Sequence, residues 1–271
     1  MIGFTPSTDG ERLYDLLVRE FVNNTSGLKD SILSLQNFDI GGRKDEFADY
    51  YSGIFCFNLT ARLIKAAKFI IEQPEIGDSL HSSNMLDFLC NRLAIYPFSY
   101  EQKYVNLLVS LSLDAARTSR QDITGGTKSV VIKEHTELFC YICGRDVFTK
   151  HEDSKYLMQY EHIWPRSYGG DSAIYNLLPA CSACNNEKGS MLLWQDSHVH
   201  SFILKPNPSE DEITRIPRIA KIAKHRQEIF KYACAQGTTL KEAALAIGPY
   251  DFLNVKFTDP DDSSDFFTFH F

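Results

Sequence analysis

The sequence predicts an α+β fold that is mainly α, in three parts: a helical N-terminal domain over residues 1–127, a small core with short strands over 128–200, and a helical C-terminal segment over 201–271. Three observations predict it. Apolar residues recur at helical spacing through residues 1–115 and again beyond 211. Between those stretches the chain breaks into short β-prone runs, turns and two Cys-x-x-Cys pairs. A polar stretch over 117–128 (RTSRQDITGGTK), carrying Gly125-Gly126, marks the boundary of the first part.

Taken in order, Thr8-Asp9-Gly10-Glu11 reads as a capping box, with Leu13, Leu16, Leu17 and Phe21 following along one helical face. A second helix is expected over 59–72, stopped by Gln73-Pro74, and a third over 84–94. A fourth is expected to begin at Ser99, with Gln102 as its capping partner, and to run toward Ala116. This part holds no catalytic motif and is assigned to recognition, regulation or partner binding. From Ser129 β-prone runs are expected. Helices return over 211–235 and 238–247, the second closed by Gly248-Pro249. That last helix has the look of the first half of a helix-turn-helix, yet 249–254 carries no Lys or Arg for a recognition helix. The tail from Asp259 (DPDDSSDFFTFHF) joins acidic residues to four phenylalanines, as a docked final strand or a partner-binding end.

With 271 residues, 44% of them hydrophobic, the chain can bury a core without covalent staples. No apolar run reaches the ~18 residues of a membrane span, and MIGFTPSTDGERL lacks a basic-then-apolar leader. A cytoplasmic location with no membrane partner is the expectation. The formal charge of −7 argues against a uniformly polyanion-binding surface. The charge is unevenly distributed, however: Arg215, Arg218, Lys221, Lys224, Arg226 and Lys231 are opposed locally by Glu228 alone.

Cysteine usage is the sharper signal. Cys140/Cys143 and Cys181/Cys184 form two Cys-x-x-Cys pairs 37 residues apart, which in a reducing compartment point to a metal site rather than to disulfides. Four thiolates in two tight loops close a tetrahedral zinc site with no open position, so the zinc is structural. The alternatives are four reduced buried thiols or a redox pair. In FCYICG, Gly144 permits the turn of a zinc knuckle, and His135 is a stray candidate ligand. Cys56, Cys90 and Cys234 lie in apolar surroundings and read as small buried hydrophobes. His198 and His200 read as a solvent-facing strand, and His151 as a loop residue.

Between the thiol pairs runs YEHIWPRSYGGDSAIYNLLPACSACNNEKG. Cys-x-x-Cys, Glu-His-Ile-x-Pro-Arg-Ser, Gly-Gly, Asn-Leu-x-Pro-x-Cys and Cys-Asn-x-x-Lys-Gly follow in that order over 139–189. In this order they resemble the HNH family of ββα-metal nucleases, which makes the middle part a zinc-stabilised ββα-metal HNH core. Hydrolysing a phosphodiester takes a base for the water and a cation for the charge that builds on phosphorus. His162 suits the base, since a reference pKa near ~6.5 leaves much of an imidazole neutral at pH 7. The resemblance implies Glu161 and Asn185 as oxygen ligands of a catalytic Mg²⁺ or Mn²⁺. Along an extended strand Glu161 points to the face opposite its neighbour His162, unless the strand ends there and twists; the resemblance implies such a strand end, from which both reach one phosphate. By the same resemblance, Asn176 is expected to tie down the loop that holds the base, and Gly169-Gly170 to make room for that loop. Glu161 stands where the family more usually has Asp.

Arg166 and Lys188 are the expected local phosphate contacts. Arg215, Arg218, Lys221 and Lys224, spaced by three, form a stripe expected to track the DNA backbone without reading sequence, the alternative being a solvated amphipathic face. The resemblance implies a DNA endonuclease, acting on double-stranded DNA at low sequence specificity and leaving 5′-phosphate and 3′-hydroxyl ends. One site nicks one strand, so a double-strand break needs a homodimer or two events. A protein partner would act through the N-terminal domain or the acidic tail. Relatives with extra domains of this kind belong to restriction or anti-phage systems such as Zorya, Septu and retron-linked sets. The competing readings are a zinc-bearing nucleic-acid binding or assembly subunit with a vestigial site, and a nuclease acting on RNA.

Overall fold

The computed structural model describes residues 3–23, 44–135, 137–192 and 218–250, with backbone alone for 22–23, 44–52, 218–221 and 224. Helix α1, Asp9–Leu16, continues as a π-helical turn, Leu17–Asn23. Its capping box is formed: Glu11 N donates to Thr8 Oγ1 at 3.1 Å, and Thr8 N donates to the Glu11 carboxylate at 2.6 Å. Helix α2, Lys44–Glu72, begins well before the expected 59 and ends short of Pro74, and α3, His81–Leu93, begins before the expected 84. Helix α4, Gln102–Thr118, starts later than the expected Ser99: Glu101 is its N-cap and no side chain caps it.

The β-prone reading from Ser129 is overturned, because Gly125–Lys133 forms a helix, α5. Thr124 caps it, accepting from Thr127 N at 3.1 Å, and Val131 is buried while Val130 stays exposed. A cap and one buried face outweigh the strand preference of Val130-Val131-Ile132. Strand β1, Met158–His162, pairs antiparallel with β2, Leu177–Cys181, in a register that sets Glu161 opposite Leu178 and His162 opposite Leu177. Helix α6, Ser182–Lys188, leaves the end of β2 directly. Helix α7, Arg218–Gln236, and helix α8, Leu240–Ile247, complete the described chain; Thr239 and Glu242 form a second capping box.

The protein is therefore α+β and mainly α, with the single β-hairpin set among helices. One cluster of buried apolar side chains draws on Leu13 of α1, Leu63 of α2, Leu113 of α4, Ile142, Ala180 of β2 and Ile229 of α7. Trp164, fully buried, sits within ring contact of Phe4, Tyr14 and Phe57 at 6.4, 5.9 and 6.0 Å. The loop after β1 is thus packed into the N-terminal helices. No described helix is long and apolar enough to cross a membrane. Cys56 is buried as expected, while Cys90 and Cys234 are half-buried.

Candidate active site

The four paired cysteines converge. Gly144, at φ +71°, makes the tight turn in which its N donates to Cys140 O at 2.8 Å, and Cys140 N donates to Arg145 O at 2.7 Å. Tyr141 N donates to Pro179 O at 3.0 Å, which seats the first thiol loop on β2. All four sulfurs lie within 4.8 Å of one another, and Cys143 Sγ is 3.9 Å from Cys181 Sγ. Zinc–sulfur bonds of ~2.3 Å put tetrahedral sulfurs ~3.8 Å apart, so the donor set fits zinc in both chemistry and size. His135 is not part of the cluster. Hydrogen bonding from the other three thiols pulls Cys181 well below the usual thiol range, while the same sharing lifts Cys184 and Cys140.

On β1 successive side chains face opposite ways. Gln159 and Glu161 face α6, where Asn185 Nδ2 donates to Gln159 Oε1 at 2.6 Å and Lys188 Nζ meets Glu161 Oε1 at 2.6 Å. Tyr141 Oη donates to Glu161 Oε2 at 2.7 Å, so both carboxylate oxygens are engaged at 2% exposure. Two expectations change here. Lys188 is no surface phosphate contact, because its ammonium is buried and balances Glu161 while also donating to His162 O at 3.2 Å. Nor do Glu161 and His162 present side chains on one face: the strand remains extended through both, so the carboxylate turns inward.

His162 faces the loop after β1. Its Nε2 lies 3.1 Å from Ser172 Oγ, and that hydroxyl donates to Gln121 O at 2.7 Å. Burial pushes the imidazole pKa down to about 4; Glu161 opposes the shift, and Arg166 and Lys188 add to it. The ring is neutral at pH 7. Asn176 holds the loop: its Oδ1 accepts from Trp164 N at 2.7 Å, and its Nδ2 donates to Trp164 O at 3.0 Å and Asp171 O at 2.8 Å. Gly169 takes φ +84°, and a Cβ on Gly170 would stand 1.8 Å from Trp164 O, so both glycines are required by the turn.

A hairpin leading straight into a helix, with a four-thiol knuckle at its base and a histidine at the strand end, is the ββα arrangement. A family model described as HNH endonuclease matches residues 140–195. Residues 140–195 are an HNH endonuclease domain. No curated protein and no solved structure matches the chain.

Further cations lie where the HNH domain meets the N-terminal helices. Arg166 Nε donates to Ser119 O at 2.6 Å while its guanidinium stays partly exposed, and Lys68 Nζ donates to Arg166 O at 3.4 Å. Arg120, paired with Glu72 at 3.4 Å, adds a third positive group; burial and these two arginines push the Lys68 pKa down. Lys68 and Arg120 had no sequence signal, since both lie outside the HNH motifs. Ser172 and Tyr141 lie within those motifs, beside Gly169-Gly170 and inside the first Cys-x-x-Cys, but only the fold shows what they touch.

The basic helix keeps one arginine indoors. Arg226 donates from Nε to Leu192 O at 3.0 Å and from Nη2 to Ile163 O at 2.9 Å, clamping α7 onto the HNH domain. The side chains of Arg218, Lys221 and Lys224 lie outside the described residues, as do Arg215, His198, His200 and the acidic tail from Asp259. His151 is an exposed loop residue.

Proposed function

We propose that the chain is a divalent-metal-dependent DNA endonuclease that cuts one strand per active site, with His162 as its general base. The observation that carries this reading is His162 at the end of β1, its Nε2 against Ser172 and the loop it faces pinned by Asn176, within a domain of the HNH family. In this reading His162 takes a proton from the attacking water as oxygen bonds to phosphorus. The P–O3′ bond breaks, leaving a 5′-phosphate, and the departing 3′ oxygen takes a proton from a second water to become the hydroxyl.

Glu161 and Asn185 would hold Mg²⁺ or Mn²⁺. Both offer hard oxygens from facing elements, and Asn185 Oδ1 has no partner among the described residues. For Glu161 this requires that Lys188 yield an oxygen it now balances. When bound, such an ion stabilises the charge that builds on the phosphate. Zn²⁺ at Cys140, Cys143, Cys181 and Cys184 has a separate, structural role in this reading. Arg166, together with Lys68 and Arg120, is the described cation cluster nearest the HNH loop and is assigned to the DNA backbone; Arg215, Arg218, Lys221 and Lys224 remain assigned to the same task. A role in restriction or anti-phage defence rests on family association alone.

The test is conversion of supercoiled plasmid to open circle with Mg²⁺, Mn²⁺ or EDTA, alongside linear DNA and RNA. His162→Ala, with zinc content and melting temperature unchanged, should lose at least ~100-fold in rate. A His162→Ala chain that nicks as well as the wild type removes the base from this assignment. Preference for RNA in the same assay replaces the DNA reading.

A further inference from the structure

We infer that Ser172 is the positioning residue of His162, and that the acceptor completing its hydrogen-bond chain is the Gln121 carbonyl, supplied by the segment between α4 and α5. The inference rests on the proposed role of His162 and names a group outside the HNH motifs as part of the same site. A carbonyl oxygen cannot donate, so at 2.7 Å the one hydroxyl proton of Ser172 must go to Gln121 O. Ser172 Oγ then offers only lone pairs. Its 3.1 Å contact with His162 Nε2 therefore requires a proton on that nitrogen. This fixes the neutral imidazole as the Nε2–H tautomer and leaves the Nδ1 lone pair as the basic one. Nδ1 has no hydrogen-bond partner among the described residues.

The acceptor is itself held in place. Ser119, two residues before Gln121, ends α4 at 1% exposure and receives Arg166 Nε on its carbonyl at 2.6 Å. The HNH loop thus grips this segment twice, through Arg166 and through Ser172, and one of those grips sets the ring. Ser172 is itself mostly buried, and Asn176 holds the Asp171 carbonyl next to it at 2.8 Å. The N-terminal helices thereby belong to the catalytic geometry: moving the end of α4 moves the acceptor to which the base is tethered.

The experiment uses the full chain labelled with ¹⁵N in histidine, loaded with zinc, and compares wild type, Ser172→Ala and Ser172→Thr. In the wild type, His162 should show a single Nε2–H tautomer with a proton slow to exchange with water. Ser172→Ala should lose that protection and lower kcat for nicking roughly ten- to a hundredfold at unchanged KM. Ser172→Thr should restore both. Ser172→Cys, close in size with a weak acceptor, serves if the alanine chain does not fold and should shift both readouts the same way. An Nδ1–H tautomer in the wild type overturns the inference, as does an Nε2–H proton equally protected in Ser172→Ala. So does an unchanged kcat where the wild type nicks and the alanine chain has lost the protection. If the wild type cuts no nucleic acid yet the protection depends on Ser172, the tether stands and the nuclease reading fails.

Discussion

Asn176 and Lys188 illustrate what a single residue carries in this domain. Asn176 spends its whole amide on the backbone of the loop after β1, at 1% exposure. Asn176→Ala leaves buried Trp164 N–H and two carbonyls without partners, and should cost about 2 to 4 kcal/mol in urea unfolding. His162→Ala, at a part-exposed position, should leave stability nearly unchanged. A stable Asn176→Ala chain with normal zinc would mean that the loop is held by other contacts. Lys188→Met strands the Glu161 carboxylate in the interior with Tyr141 alone, and should cost about 3 to 5 kcal/mol. Adding Glu161→Gln should recover part of that loss, because the uncompensated charge is then gone; no recovery in the double variant would argue against the ion pair as the cause. The loop role of Asn176 was legible, since the motif order carries it. Strand alternation already sets Glu161 on the face opposite His162; what it meets there was not legible, because its two partners come from α6 and the first thiol loop.

At the scale of elements, local chemistry was legible at several caps and at the ligand pairs. The Thr8–Glu11 box and the Gly248 stop of α8 depend on residues within a few positions of one another, and the four-thiol site on two such local pairs that the fold brings together. Helix α5 was misread although Thr124 caps it locally, because three β-branched residues in a row favour strand and the burial of Val131 is settled by packing. The knuckle should behave as a unit: Cys181→Ser should lose the metal, measured by zinc content, and lower the melting temperature by at least ~5 °C. Retention of zinc by that variant would exclude the four-thiolate site. Contact between α1 and the HNH loop gives a prediction whose sign is unusual. A glycine inside a helix normally costs ~1 kcal/mol relative to alanine, so Gly10→Ala should stabilise an isolated α1. Here the added Cβ would stand 2.1 Å from Tyr168 O and 2.7 Å from Trp164 Nε1, both on the docked loop. Gly10→Ala should therefore destabilise the protein, and a raised melting temperature would show that α1 and the loop part easily.

Across the whole molecule, the HNH domain is held from two sides, by the ring cluster around Trp164 and by α7. Arg226 makes the second attachment, and beside it His225, which ties α7 to the end of α8, makes stability dependent on pH. Its Nε2 lies 3.0 Å from Gly248 O and must donate to it, while its buried Nδ1 has no partner among the described residues. The rings of Tyr141 and Tyr250 stand 5.9 and 5.5 Å away, and the Arg226 guanidinium is the charged group that bears on it. Burial pushes the His225 pKa down to about 4; the Gly248 hydrogen bond opposes that shift and Arg226 adds to it. In the unfolded chain the same group titrates near ~6.5. Between those values the unfolded state binds a proton that the folded state refuses, so stability is complete above the unfolded pKa, falls as pH drops, and levels off below the folded one. The loss from this residue should reach about 3 kcal/mol at the acid end. Burial lowers the pKa of His162 and His135 in the same sense and raises those of Glu11 and Asp171 in the opposite one, so the wild-type curve alone is a composite. The difference between wild type and His225→Gln isolates the term, because glutamine can still donate to Gly248 O and does not titrate. Urea unfolding at several pH values from about 4 to 7 should show the wild type losing more stability than the variant over the acid half of that range. Parallel curves would mean that His225 accepts its proton in place, with α7 still docked on the HNH domain.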